Sequence, residues 1–451
     1  MPMARLLIIA GSDSGGGAGI QADLKAAAAL GVHGMTVITA LTAQNTLGVA
    51  GVHPVPLDFV RAQFTAVAGD IGLDAVKTGM LRSAELVELT AELLAGVEAP
   101  VVVDPVMVAK GGDRLLREDA IAALRGRLLP RARLITPNLD EAEALLGRPV
   151  RDLAAMAQAA TDLVALGAGA ALVKGGHLEK DPADVLFDGQ RTRVFRAPRI
   201  DTPHTHGTGC TLASACAALL ARGWELGPAV ERARLLVRRA IAGGLALGRG
   251  HGPVNALADL APRLELGTCL KALEATLAEL ESTPGLGWLL PEVRGQLGYA
   301  LPGAATAEEV LAVAGRITDI DGRMKAAGPA RAGASRHVAR IILTALAHDP
   351  ARRAAMALRY DQALIERALA LGWSVGEFSR AEEPPEVRER EGSTLEWGVE
   401  LVISRMGWVP DLIFDRGGMG KEPVIRLLAR DPQEIARRVR LLTGEKEQSL
   451  S

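Results

Sequence analysis

Cysteine is scarce in this chain: Cys210, Cys216 and Cys269 are the only three among 451 residues. Three thiols cannot build a full disulfide framework, and none shows C-x-x-C metal spacing. A reducing, cytoplasmic setting is expected. Charge of one sign is lacking as well. The formal net charge is −2, and acids are interleaved with the arginines that become common after residue 320, so no basic face advertises nucleic acid. Apolar runs are interrupted by Gly, Asp or Arg, and no membrane span is expected. Residues 1–10 run straight into a strand-like stretch without a cleavage signature. There is no internal repeat. The 49% apolar and 23% charged residues are the balance of an ordinary globular protein. The length is a prior for two or three domains, and core area is not limiting at this size.

Between residues 4 and 250, short apolar runs alternate with alanine- and leucine-rich amphipathic segments. Strands are expected at Leu6–Ala10, Met35–Thr39, Ala75–Thr78, Val101–Asp104, Leu134–Thr136 and Ala171–Lys174. Helices are expected at Ile20–Leu30, Ala84–Leu94, Asp140–Leu146, Asp152–Leu166, Cys210–Arg222 and Leu226–Leu247. Such alternation predicts an α/β fold, a mostly parallel sheet with helices on both faces. Polar and glycine residues gather after the strands, where open α/β sheets bind ligands. Gly248–Pro262 breaks the periodicity and reads as a linker. A second, smaller α/β domain is expected from about Arg263. Its helices fall near Thr268–Ser282, Thr306–Ala314, His337–Ala347 and Ala363–Leu371, and its strands near Ser374–Phe378 and Leu412–Asp415. Glu382–Glu391 reads as an exposed loop and Glu445–Ser451 as a disordered tail.

The strongest chemical signal is Thr205-His206-Gly207-Thr208-Gly209-Cys210-Thr211, opening an alanine-rich helix. Small residues at Gly207, Thr208 and Gly209 let backbone approach a ligand, and free N–H groups at a helix start form an anion site. A transferring phosphoryl group needs such a cradle. Cys210 falls in the first helical turn, where its thiol pKa is expected to be lowered for proton transfer. The bland alternative is a helix cap with a buried thiol. A nine-residue glycine loop, Gly11–Gly19, follows the first strand. No acid ends the second strand to hold a ribose, which disfavours a dinucleotide fold. No P-loop is present: Gly417-Gly418-Met419-Gly420-Lys421 is followed by Glu422 where Ser or Thr is required.

Three successive strand ends carry further polar groups. Asp104 suits an outer-shell Mg²⁺ or phosphate-water role, or is a turn residue. Asn138 and Glu141 fit either a ligand edge or a capping box. Lys174 is placed to meet an ATP phosphate as a point charge. With the anion turn they form one edge of one sheet.

The segments GSDSGGGAGIQADLKA, GMTVITALTAQNTLGV, KTGML, DPVMVAKGG, TPNLDEAE, VKGGH and TPHTHGTGCT resemble the hydroxymethylpyrimidine/phosphomethylpyrimidine kinases of thiamine synthesis, a branch of the ribokinase superfamily. The resemblance covers residues 4 to about 255 and implies a kinase domain over residues 1–258. It implies ATP and Mg²⁺, phosphorylation of 4-amino-5-hydroxymethyl-2-methylpyrimidine, and then of its monophosphate. By position, Gln44 would hydrogen-bond the aminopyrimidine edge, for which an amide offers both donor and acceptor. Gly11, Asp23, Met80 and Val106 would line that pocket. Cys210 takes the base position that sugar-kinase relatives give to aspartate. Pyridoxal or pyridoxine kinase is the neighbouring alternative, separated by Gln44 with Thr42-Ala43 and Asn45.

Toward the C-terminus, Gly333-Ala334-Ser335-Arg336-His337 opens a helix, and Arg359, Arg416 and Lys421 add cations beside glycine-rich turns. Arginine, lysine and exposed amides suggest a diphosphate or two phosphates; the alternative is arginines that solvate helices. The segments GRITDIDGRMKA, GASRHVARIILTALAHDP, LRYDQALIE and PDLIFDRGGMGKEP resemble the ThiN-type thiamine-phosphate synthase domain, over residues 263–445. That resemblance implies condensation of the pyrimidine diphosphate with thiazole phosphate. It places Arg316 and His337 at catalytic positions, with Arg359, Arg416 and Lys421 as phosphate contacts. The same domain type also serves as a ligand sensor joined to DNA-binding domains, but no helix-turn-helix precedes it here. Partners are expected to be small molecules, with neither nucleic acid nor membrane, and relatives imply a homodimer.

Overall fold

The computed structural model describes residues 2–107, 118–176, 182–384, 393–418 and 420–444. Met419, the tail from Glu445 and most of the loop expected at Glu382–Glu391 lie outside the described residues. The chain divides into two compact units, Met1–Asp259 and Leu260–Ser451.

The first unit is built on a nine-stranded sheet, in the order β3-β2-β1-β4-β5-β6-β7-β8-β9. The strands are β1 (Arg5–Asp13), β2 (His33–Gln44), β3 (Val49–Pro54), β4 (Ala75–Thr78), β5 (Val101–Val103), β6 (Leu134–Ile135), β7 (Ala171–Gly175), β8 (Ala183–Phe187) and β9 (Thr192–Arg196). From β2 through β7 the pairing is parallel; β3, β8 and β9 add antiparallel edges. Leu6, Leu7, Ile8 and Ile9 are wholly buried because helices cover both faces of a parallel sheet. Each such side chain contributes about 2 kcal/mol of apolar burial. The flanking helices are α1 (Gly19–Ala29), α2 (Leu57–Asp70), α3 (Ala84–Leu93), α4 (Glu118–Ala123), α5 (Leu139–Leu146), α6 (Leu153–Ala165), α7 (Thr208–Ala221) and α8 (Leu226–Ala242).

β1 is hydrogen-bonded to β2 on one side and β4 on the other. The strand order therefore reverses at β1/β4, where an open α/β sheet leaves a crevice at its carboxyl end. The segment read as a linker starts too early. His251 N donates to Thr46 O, and Val254 N to His206 O. Gly248–Val254 thus belongs to the first unit, tied down by backbone hydrogen bonds that composition does not reveal.

The second unit has a seven-stranded sheet, β14-β11-β10-β15-β18-β17-β16, plus a hairpin β12-β13. Its strands are β10 (Gln296–Ala300), β11 (Val310–Val313), β12 (Ile317–Ile320), β13 (Arg323–Ala326), β14 (Ala330–Ala332), β15 (Ala354–Arg359), β16 (Val375–Glu377), β17 (Leu412–Asp415) and β18 (Val424–Ala429). All sheet pairings are antiparallel except β16 with β17. Helices α9 (Ala261–Leu264), α10 (Leu266–Ser282), α11 (Arg336–His348) and α12 (Gln362–Ala370) are joined by the helices Ser393–Met406, which packs on α11, and Pro432–Thr443, which packs on α10 and α12. The helix expected at Thr306–Ala314 is instead a 3-10 turn followed by β11. Thr306 and Glu309 do form a capping box, but Val310–Val313 follow with no exposed surface and pair with β10 and β14. A buried strand between two neighbours overrides alanine-rich helix propensity.

Candidate functional site

A cavity of about 840 Å³ opens at the carboxyl ends of the central strands of the first unit. Its wall includes Gly11, Gln44, Met80, Asp104, Val106, Asn138, Glu141, Lys174, Gly207, Thr208, Gly209 and Cys210. Residues from seven segments of the chain thus meet in one hollow.

The anion turn is built by close backbone approach. Gly207 precedes α7 with φ +83°, and a Cβ there would lie 1.8 Å from Gly17 O. Only glycine fits, because the backbone is left-handed and two chain segments touch. Helix α7 then starts at Thr208, and Thr208 N donates to Thr205 O. The N–H groups of Gly209 and Cys210 belong to the first turn, where no intrahelical acceptor exists, and both residues line the cavity. Gly209 lies beside Lys174, whose Nζ would sit 3.3 Å from an added Cβ.

Lys174 is the hub of the polar wall. Its Nζ is 3.1 Å from Asp104 Oδ1 and 3.9 Å from Glu141 Oε2. Burial opposes its charge, but Asp104 and Glu141 outweigh burial and hold the ammonium above the usual lysine range. Asp104 also accepts from Thr136 Oγ1 at 3.1 Å. Asn138 Oδ1 accepts from Glu141 N, and Glu141 Oε2 from Asn138 N, both at 2.8 Å. The pair therefore forms the capping box of α5 and also stands in the cavity wall. Burial pushes Glu141 up to about 7, helped by Asp104 and opposed by Lys174.

Cys210 corrects one expectation. Burial pushes its thiol up to about 12, with Asp23 and Asp104 adding to the rise; Lys77 and the Gly19 N–H pull the other way. The helix N-terminus does not lower this pKa, because desolvation of the thiolate exceeds the dipole's attraction. Asp23 corrects another. It does not line the cavity. It is fully buried and accepts both Lys77 Nζ contacts at 3.0 Å and Ser214 Oγ at 2.7 Å. The cavity-facing member of that pair is Lys77. Burial opposes its charge, yet Asp23, Cys210 and Asp104 outweigh it and keep Lys77 an ammonium. A lysine inside the apolar strand Ala75–Thr78 is the sequence signal that could have found it, since a buried charge needs a partner.

At the opposite wall, Gly11 packs against Met80, whose Cε would be 2.4 Å from an added Cβ. Gln44 ends β2, with Oε1 3.2 Å from Thr42 Oγ1 and Nε2 3.3 Å from His206 Nε2. His206 and Asp13 line the same cavity; the sequence places His206 in the turn before α7 and Asp13 in the glycine loop, but gives neither side chain a role of its own.

A divalent cation on ATP would meet hard oxygen donors here. A buried carboxylate held near 7, Glu141, gains from a nearby cation. Lys174 Nζ stands between Asp104 and Glu141, however, and among the described residues no group of three His, Cys, Asp or Glu could hold a metal. The carboxylates therefore suit a cation that keeps its waters.

In the second unit, Arg359 lines a hollow of about 330 Å³ with Trp288, Glu292, Arg294, Asp319 and Glu422. Arg316, left-handed at φ 76°, precedes β12 and donates to Val293 O. Arg416 donates to Glu377 Oε1 at 2.7 Å and Tyr360 Oη at 2.9 Å. Lys421 Nζ is 3.4 Å from Thr394 Oγ1. His337 is the second residue of α11 and exposed, with Ser335 capping that helix through Val338 N. Of these five, Arg359 alone lines the hollow.

An open sheet with its crevice at the strand reversal, a glycine-built anion turn and a lysine beside it define a ribokinase-like phosphotransferase. Residues 13–255 match the phosphomethylpyrimidine kinase family model, and the chain belongs to that family. Residues 272–441 match the family model thiamine-phosphate synthase ThiN. The chain is 56% identical over 250 residues to a hydroxymethylpyrimidine/phosphomethylpyrimidine kinase of Streptomyces coelicolor, covering 55% of this chain and 93% of that one. It is 54% identical over 256 residues to the thiamine biosynthesis bifunctional protein ThiED of Geobacter sulfurreducens, covering 56% and 52%. Among solved structures, the ADP complex of Bacillus subtilis pyridoxal kinase matches at 40% identity and TM-score 0.54, covering 57% of this chain and 98% of that one. Pyridoxal kinase of Staphylococcus aureus with pyridoxal matches at 36% and 0.54, covering 57% and 95%. The two family matches make this an enzyme of thiamine biosynthesis, with a kinase domain followed by a thiamine-phosphate synthase domain. Among the described residues no helix is long and apolar enough to cross a membrane.

Proposed function

We propose that the first unit phosphorylates 4-amino-5-hydroxymethyl-2-methylpyrimidine with ATP, and then its monophosphate to the diphosphate. The second unit joins that diphosphate to thiazole phosphate. The observation that carries the reading is the single cavity bringing Gln44, Met80 and Gly11 to face Cys210, Lys174 and the Gly207–Gly209 turn. In the first step the hydroxymethyl oxygen attacks the γ-phosphorus, and the bond from that phosphorus to the β–γ bridging oxygen breaks as ADP leaves. The Gly207–Cys210 amides and Lys174 neutralise the equatorial oxygens. Asp104 and Glu141 would hold a hydrated Mg²⁺ brought with ATP, and the ion would supply charge neutralisation. The Cys210 thiolate takes the hydroxyl proton. Burial makes that thiolate a minority form, so positioning carries most of the rate, as a loose transition state allows.

In the second unit, Arg316 and His337 are assigned to catalysis and Arg359, Arg416 and Lys421 to phosphate binding. Ionisation of the pyrimidine methylene–oxygen bond releases diphosphate, which cations stabilise, and the thiazole nitrogen closes the new C–N bond. The domains are assigned as 1–258 and 263–445, and the assembly as a cytoplasmic homodimer. Mixing the intact protein with the aminopyrimidine, ATP, Mg²⁺ and thiazole phosphate should yield thiamine phosphate. Absence of pyrimidine phosphates in that mixture would sink the kinase assignment. Normal synthesis by His337→Ala from purified diphosphate would sink the assignment of His337. A second reading, pyridoxal kinase activity with a ligand-sensing second unit, draws on the solved neighbours. Turnover of pyridoxal in preference to the pyrimidine would favour it.

A further inference from the structure

His206 has no part in phosphoryl transfer as assigned above, yet its ring joins the glycine loop to the substrate wall. Its backbone is pinned on both sides: His206 N donates to Gly252 O at 3.1 Å, and Val254 N donates to His206 O at 3.0 Å. Its Nε2 is 3.2 Å from Asp13 Oδ2. Asp13 is buried and accepts three backbone N–H groups, from Gly15 on Oδ1 and from Gly17 and Ala18 on Oδ2. A carboxylate so surrounded by donors stays ionised; burial opposes its charge, but His206 and these amides hold it below its ordinary value. An ionised acceptor 3.2 Å away requires that His206 Nε2 carry a hydrogen.

That same Nε2–H lies 3.3 Å from the end of the Gln44 amide. An N–H cannot favourably face an NH₂, so the amide oxygen belongs at that end; oxygen and nitrogen of an amide are told apart by such networks. The other end agrees. Thr42 Oγ1 donates to Ser12 O at 3.0 Å, which leaves it free to accept. It lies 3.2 Å from the second Gln44 amide atom, which is then the NH₂. The network runs Gln44 to Thr42 to Ser12 on one side and His206 to Gln44 and Asp13 on the other. The single His206 Nε2–H is shared between Asp13 Oδ2 and the Gln44 oxygen, and the Gln44 N–H not given to Thr42 is left for a ligand.

We propose that His206 is a positioning residue that locks the Gln44 amide in one of its two orientations, and so sets the polarity with which the cavity reads a pyrimidine edge. This deepens the function proposed above and rests on it. Gln44 lines the cavity, and its remaining N–H and oxygen lone pair face the ligand. A 4-aminopyrimidine presents a donor at the 4-amino group and an acceptor at N3. A 4-oxopyrimidine presents the reverse, an acceptor at O4 and a donor at N3–H. A locked amide matches one and opposes the other. A freely rotating amide serves both.

The test compares kcat/KM for the 4-amino substrate and its 4-oxo analogue in the intact chain, with KM for ATP measured alongside. Against the parent, His206→Ala should lower the amino/oxo ratio by about 10- to 100-fold, within what a mismatched hydrogen-bonding site imposes. His206→Gln, which keeps an N–H donor, should recover part of the ratio. Thr42→Val frees the other end of the amide with little change in size and should also lower it. An unchanged ratio in His206→Ala overturns the proposal. If that variant is inactive on both compounds, an unchanged ratio in Thr42→Val overturns it instead. Failure of the intact protein to phosphorylate the 4-amino compound sinks the functional reading and this proposal with it. Normal turnover with unmoved ratios sinks the role of His206 alone.

Discussion

At the residue scale, the site separates the two phosphoryl transfers chemically. The first nucleophile is a hydroxyl, which must lose a proton. The second is a phosphate monoester oxygen, whose last proton leaves near pH 6 and which is already anionic at neutral pH. Cys210 is therefore needed only once. Cys210→Ala should lower kcat about 10²- to 10⁴-fold for the hydroxymethylpyrimidine, and much less for the monophosphate. Separate assays of the two substrates check this, and equal losses in both would remove Cys210 as proton acceptor. Glu141 gives a pH signature. Burial raises its native pKa from 4.5 to about 7, so the folded chain keeps a proton that the unfolded chain releases. Stability contributed by that proton is complete below about pH 4.5 and is lost as pH rises through 7. Glu141→Gln keeps an acceptor for Asn138 N and removes the titration. It should flatten the fall in stability between pH 4.5 and 7, on the order of 1–3 kcal/mol. Urea titrations at several pH values decide it; a parallel pH dependence in both proteins would place the raised pKa elsewhere.

At the element scale, strand β4 and helices α1 and α7 are joined under the cavity by Lys77, Asp23 and Ser214. Breaking a buried pair leaves an uncompensated charge and costs about 3–5 kcal/mol, whereas removing both charges is much cheaper. Lys77→Met should therefore destabilise strongly, and Asp23→Asn in the same chain should recover most of the loss. Denaturant midpoints of the single and double variants test this, and simple additivity would mean the two charges do not pair. Sequence reading succeeded on elements with an unambiguous period. The strand at Ala75–Thr78 and the helix near Ala84–Leu93 have the expected bounds to within a residue. It missed β3, β8 and β9 at the sheet edges. β3 is largely exposed and β9 more so, so neither carries the apolar run that marks a buried strand. In the second unit, β10 and β15 fall in no expected element: β10 is five residues long with Gly298 at its centre, β15 is alanine-rich, and both are buried along most of their length, so neither shows an in-out alternation or a β-branched run.

At the scale of the whole molecule, the two compact units correspond to the two family matches. A kinase relative is 93% covered by 250 residues of this chain, so the first unit has the extent of a free-standing enzyme. Residues 1–259 expressed alone should fold and make the pyrimidine diphosphate at close to the rate of the full chain. Residues 260–451 should consume it. Mixed halves and the fused chain, compared in the presence of a diphosphate trap, report on transfer between units: equal thiamine phosphate excludes direct hand-over.

The sequence by itself determined the central parallel strands of the first unit and most of the helices between them, the glycine turn before α7 and the positions of Asp104, Asn138 and Lys174 at strand ends. These depend on local spacing, on where a strand stops and a helix begins. Only the tertiary structure decided protonation and orientation. Cys210 sits at a helix start, which predicts an acidic thiol, but burial beside Asp23 and Asp104 makes it a weak acid. Asp23 reads as a pocket residue, but it stands behind Lys77. His206 reads as one more residue of a glycine turn, but Asp13, 193 positions away, fixes its hydrogen and through it the Gln44 amide. Desolvation and hydrogen-bond direction are set by neighbours distant in the chain, and no local pattern encodes them.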